Sequence, residues 1–204
     1  MKHRKRTWFV LALLVAAAVQ ATDRPGATAD SAEVVAQGKA DGVAAGWSIH
    51  TRQPAGWTQD CCQYAKAIGV DLVLYQGEWT GEPNRVMVLN AWPTKLATLD
   101  DEWKDDQKHY LQRDPTAKIE PLPLPGAKTR CRGFVYHGGD HVDDAVVFCD
   151  PGKPAGIRFS WSLAIAANDP TRQQLLAQFA QVVEASHCTP QSAATAPHGA
   201  PASS

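Results

Sequence analysis

Hydrophobic positions along this chain switch between two periods. Residues 46–51 (Gly-Trp-Ser-Ile-His-Thr) alternate, which is the period of a strand, and Pro54-Ala55-Gly56 then turns the chain. Over residues 57–68 the spacing becomes helical: Trp57, Cys61, Tyr64 with Ala65, and Ile68 share a face, Thr58 is placed to cap, and Gly69 ends the helix. Residues 70–75 are a short, nearly continuous apolar strand. Residues 77–84, with Gly81, Pro83 and Asn84, read as a loop, and 85–92 as the next strand, closed by Pro93. The clearest helix covers 98–113. Thr98 caps it, Asp100, Asp101 and Glu102 fill its first turn, and Arg113 lies at its end, an order that suits the helix dipole. Its apolar stripe of Leu99, Trp103, Tyr110 and Leu111 is thin, so it covers a surface with one side only.

In the second half, residues 119–126 contain Pro121, Pro123 and Pro125, an extended segment that cannot be a central strand. Strands follow at 129–136, 143–149 and 157–166. They are joined by short turns around Gly138-Gly139-Asp140 and Pro151-Gly152-Lys153-Pro154, which makes them antiparallel neighbours. A last helix starts at Asp169-Pro170 and runs to about residue 187, with Leu175, Leu176, Phe179, Val182 and Val183 as its buried stripe. The order β-α-β-β-α-β-β-β-α predicts an α+β fold, an antiparallel β-sheet flanked by helices.

The first residues have a different pattern. Met-Lys-His-Arg-Lys-Arg precedes an uncharged apolar run over 8–19, and Val19-Gln20-Ala21 offers a cleavage site after Ala21. The run falls short of the roughly 20 residues of a membrane span. Residues 1–21 are therefore expected to be a signal peptide, and the rest a periplasmic or secreted protein with no stable membrane insertion after cleavage. Of 20 basic and 21 acidic residues, the signal would remove four basic and no acidic ones, which leaves 16 against 21 and a net charge of −5. That balance argues against a nucleic-acid partner. Residues 22–43 are Ala/Gly/Asp-rich and expected to be flexible, 44–188 form a single α+β domain, and 189–204 make an Ala/Pro/Ser/Thr tail without apolar periodicity, expected to be disordered.

Export changes the reading of the five cysteines, Cys61, Cys62, Cys131, Cys149 and Cys188, because disulfides persist outside the cytoplasm. Cys131 and Cys149 are equally far from residue 140 in the expected hairpin, so they are predicted to face each other and bond. Cys188 closes the last helix and is expected to tie it to Cys61 or Cys62. Bonding between adjacent cysteines is disfavoured by disulfide geometry.

The succession of a short helix, a strand pair over 70–75 and 86–92, a polar helix over 98–113, a hairpin carrying Ala145-Val146-Val147-Phe148-Cys149 and a closing helix over 171–185 resembles the PsbP-like group of small α/β/α sandwich proteins, which includes DcrB-like exported bacterial proteins. The resemblance implies a role in binding or assembly, with no shared catalytic residues to carry over.

Two constellations could carry chemistry. Asp60-Cys61-Cys62 at a helix start would give an activated thiol, and with His141 downstream this resembles NlpC/P60 cell-wall peptidases, although that family has Ser-Gly after its Cys where this chain has Cys62-Gln63. His137, His141 and Asp143, with Asp140 and Asp144, are residue types that suit a divalent metal, but they sit on a turn where solvated His and Asp are common. For a partner surface the best anchors are Trp79, in the 77–84 loop, and Trp103, on the polar helix. No phosphate loop, dinucleotide fingerprint, nucleophile elbow or zinc finger is present in the sequence, and no cofactor is expected. The sequence thus predicts an exported, non-enzymatic binding or envelope-associated protein whose protein or small-ligand partner is unknown, with a Cys61-dependent peptidase as the alternative.

Overall fold

The computed structural model describes residues 33–39, 46–79 and 85–191. The elements in chain order are β1 (Glu33–Gly38), β2 (Gly46–Arg52), β3 (Thr58–Asp60), α1 (Tyr64–Ala67), β4 (Leu72–Tyr75), β5 (Val86–Pro93), α2 (Leu99–Arg113), β6 (Lys118–Leu122), β7 (Arg130–His137), β8 (Val142–Asp150), β9 (Ile157–Ala166), α3 (Arg172–Ala185) and β10 (His187–Gln191). The chain is α+β. A seven-stranded antiparallel sheet has the order β3-β4-β5-β9-β8-β7-β6, and a three-stranded sheet has the order β1-β2-β10.

Successive strand residues point to opposite faces, so the register sorts the side chains. Leu89 pairs with Trp161, and Trp161 with Val147, which places all three on one face. That face meets α3 and the small sheet in one core, where Ile49 of β2, Trp161 and Phe179 are almost completely buried. Burying a side chain such as Phe179 stabilises the fold by about 1.5–3 kcal/mol. Trp161 also has a polar end: its Nε1–H donates to Ser186 Oγ at 3.0 Å, and that hydroxyl donates to the Val182 carbonyl at 2.8 Å. The opposite face is covered in two places, by α1 over β4 and by α2 over β8.

Thr98 caps α2 in a full capping box with Asp101. The proline-rich segment does form a strand, β6, at the sheet edge, where Pro121 needs to donate no ladder bond. Other expectations are corrected. The helix expected over 57–68 shrinks to Tyr64–Ala67, and its first residues form edge strand β3. Trp57 is 3% exposed within the main core, and the Asp60 carboxylate accepts from the backbone N–H groups of Cys62, Gln63, Tyr64 and Ala65, so helical hydrogen bonding starts only beyond it. The segment expected to be flexible contains β1, paired along β2, where the Trp47 ring lies against Gly38 so closely that a β-carbon would collide with it. After α3 the chain turns at Ser186 and adds β10 to the other edge of β2, where a helix end and a disordered tail are expected. The proposed signal peptide and most of the tail lie outside the described residues.

Candidate functional site

Cys131 and Cys149 are register partners on β7 and β8 and are joined as a disulfide, with 4.2 Å between their α-carbons. Cys149 is fully buried on the core face. The second pairing differs from expectation: Cys61 is bonded to Cys62, and Cys188 is free. The turn after Asp60 sets the two adjacent side chains next to each other, with α-carbons 3.7 Å apart. Cys188 belongs to β10, opposite Ile49 on the small sheet, whereas Cys61 follows the edge strand β3 of the large one. Burial pushes the Cys188 thiol up to about 11.

This arrangement also separates the residues of the peptidase alternative. β3 and β8 are four strand spacings apart in the sheet order. At roughly 4.8 Å per spacing, that puts Cys61 on the order of 19 Å from the β7–β8 turn that carries His141. No hydrogen bond between thiol and imidazole is possible at that distance.

His137 and Asp143 do come together, as β7–β8 register partners, but as an ion-paired strut. Asp143 is 3% exposed; its Oδ1 is 2.8 Å from His137 Nδ1, and its Oδ2 accepts from Arg172 Nε at 2.6 Å. Burial would raise the Asp143 carboxyl, but the hydrogen bonds and charges of His137 and Arg172 outweigh it and hold the group below its ordinary value. Because the Arg172 guanidinium already occupies the second oxygen, the carboxylate is not available as an open metal ligand. His141 does not converge on it: it is exposed in the turn with φ of 66°. Among the described residues no three His, Cys, Asp or Glu side chains are placed to hold a metal ion. His137, His141 and Asp143, the three candidates for a metal, are therefore not brought together as one set. Arg172, 29 residues away on α3, is the member that no local sequence signal indicates.

Trp79 and Trp103 are both half-buried rather than free anchors. Trp79 stacks on Tyr64 with ring centres 4.7 Å apart and meets the edge of Tyr75 at 5.3 Å, closing a satellite cluster under α1. Trp103 lies on Phe134 at 5.0 Å and donates its Nε1–H to Asp100.

Beneath the C-terminal part of α2 lies a group that the sequence reading did not assemble. Tyr136 donates to Asp106 Oδ2 at 2.8 Å, Tyr110 donates to Asp144 Oδ2 at 3.2 Å, and the two rings are 4.5 Å apart. Burial raises the Asp106 and Asp144 carboxyls against these hydrogen bonds. Burial, then the charge of Asp144, pushes the Tyr110 phenol up to about 12. A cavity of about 470 Å³ opens here, with Tyr110, Asp114, Asp140 and Asp144 in its wall. Alternation along β8 puts Asp144 on the α2 face, but its partner is set by helix packing, which periodicity does not reveal.

No protein-family profile matches the chain, and no curated protein matches it in sequence. Among solved structures it is similar to the solution structure of cyanobacterial PsbP (CyanoP) from Synechocystis sp. PCC 6803, at 14% identity with a TM-score of 0.44, covering 78% of this chain and 92% of that one. No described helix is long and apolar enough to cross a membrane.

Proposed function

We propose that this chain is an exported, disulfide-bonded, non-catalytic binding protein of the cell envelope or the secreted fraction. The observation that carries the reading is the Cys131–Cys149 bridge. It is built into the buried face of the central hairpin rather than exposed at a reactive surface, and structural disulfides of this kind belong to oxidising compartments. The amino-terminal pattern of basic residues, a short apolar run and Val19-Gln20-Ala21 points to the same compartment. The binding half of the reading is supported by how the catalytic candidates are spent: Cys61 is bonded to Cys62, and the Asp143 carboxylate is closed between His137 and Arg172.

The test is expression of the full chain in a Gram-negative host, followed by fractionation, intact mass and non-reducing peptide mapping. The expected result is a periplasmic or secreted protein that begins at Thr22, with the Cys131 and Cys149 peptides linked. A full-length cytoplasmic protein with all five thiols alkylatable overturns the proposal, and so does hydrolysis of cell-wall fragments that is lost in Cys61→Ala.

A further inference from the structure

At the N-terminal end of α2 the large sheet carries charged residues on three neighbouring strands: Arg130 on β7, Asp150 on β8 and Arg158 on β9. Arg130 and Asp150 are register partners. Arg158 is only 2% exposed. Its Nη1 donates to the Leu96 carbonyl at 3.0 Å and to Glu102 Oε1 at 2.7 Å, which ties it to α2. The other edge of the guanidinium is not used in this way. Nε is buried and makes no hydrogen bond, and Nη2 has no hydrogen-bond partner among the described residues. Asp150 Oδ2 is 3.6 Å from Nε, beyond hydrogen-bond reach, while its Oδ1 accepts from the Gly152 N–H at 2.8 Å.

A cavity of about 460 Å³ opens beside this edge, within the size range of small-ligand sites. Its wall includes Thr94, Arg130, Asp150, Lys153 and Arg158. Arg130 and Lys153 are exposed and form no ion pair among the described residues. Three cations thus meet two carboxylates here, Asp150 and the Glu102 already bound to Arg158, which leaves Arg130 and Lys153 as the cations without a close acidic partner among the described residues. A buried donor atom left without a hydrogen bond is unfavourable, and the Nη2 side of the Arg158 guanidinium, which no group engages among the described residues, can donate to an oxyanion oxygen in the cavity.

We infer that this cavity binds an oxyanion group, the carboxylate or phosphate of a small ligand, with Arg158 at its base and Arg130 and Lys153 at its rim. Asp150 faces the guanidinium at a distance of 3.6 Å, and a bound oxyanion competes with it there. The inference rests on the binding reading and gives it a place and a ligand class. Its test does not involve export, so absence of anion binding leaves the export and disulfide results untouched, and a cytoplasmic location leaves the titration to be read by itself.

The experiment is calorimetric titration of the full chain with inorganic phosphate and separately with succinate, against sodium chloride at matched ionic strength, with the Arg158 Nε–H resonance followed by NMR. Saturable binding of one anion that shifts that resonance is expected, and which anion saturates tells phosphate from carboxylate. Arg130→Ala/Lys153→Ala, which alters exposed positions only, should weaken binding by about tenfold or more, and Asp150→Asn should tighten it several-fold. No response beyond the chloride control, binding retained in the double variant, or binding unchanged or weaker in Asp150→Asn overturns the inference.

Discussion

Asp143 shows how one residue can be easy to single out in the sequence and hard to interpret there. Its two oxygens are committed to His137 and to Arg172, and it is nearly buried. Arg172→Met would leave the carboxylate with the imidazole as its one partner, and removing one partner of a buried pair costs about 3–5 kcal/mol; with the Arg172 side chain about a quarter exposed, the lower end is expected. Urea denaturation checks this, and a loss under about 1 kcal/mol would mean that the pair is solvent-screened. Gly133 makes the opposite kind of point. It pairs with Leu122 of the edge strand, and a β-carbon there would lie 2.8 Å from the Leu122 carbonyl oxygen. Gly133→Ala should therefore destabilise by about 1–3 kcal/mol, as overpacked sites do, while a melting temperature equal to wild type would show that β6 shifts freely. Residue types were legible in the sequence at both positions; their partners were not, because those contacts join segments that only the fold brings together.

Among elements, what could be read depended on whether the signal was local. The α2 cap and its acidic first turn lie within four residues, and the structure has the capping box that they announce. Thr98→Ala should cost about 1 kcal/mol, measurable by chemical denaturation, and loss of the Asp101 partner should not add fully to it because the two act as one unit. The 57–68 pattern was misleading for a physical reason. Trp57 and Ala65 have helical spacing, yet they serve different cores, the main cluster and the satellite one under α1. Asp60 draws four backbone N–H groups to itself between them. β1 and β10 escaped notice because each is short and borders β2, where pairing rather than side-chain alternation holds them. The three strands of the central meander, each backed by tight turns, were readable from the sequence to within a few residues.

At the scale of the whole molecule, α2 links two cavities of opposite character on one face of the sheet, cationic walls near its start and carboxylates near its end. The carboxylates around the protein divide the same way in their response to pH. Asp71, Asp106 and Asp144 are raised, by burial first of all. In the folded state these groups take up protons before the unfolded chain does, so their contribution rises as pH falls from neutral towards the ordinary Asp value of about 3.9 and is lost as pH rises. Asp143, and Asp60 with its four backbone donors, are lowered against the opposing effect of burial. Their contribution is complete above about 3.9 and is lost as pH falls through their folded values. Taken together, these two groups of residues place the maximum of their combined contribution near the ordinary Asp value of about 3.9, with a loss below it. Asp106→Asn/Asp144→Asn keeps acceptors for the Tyr136 and Tyr110 hydroxyls but removes two of the groups responsible for the acid gain. Its melting temperature should change less than that of wild type between pH 7 and about pH 4, with the loss below pH 4 preserved, because Asp143 and Asp60 are untouched. Parallel melting profiles for the two proteins from pH 7 to about pH 4 would mean that these tyrosine-bonded carboxyls titrate alike in the folded and unfolded chain.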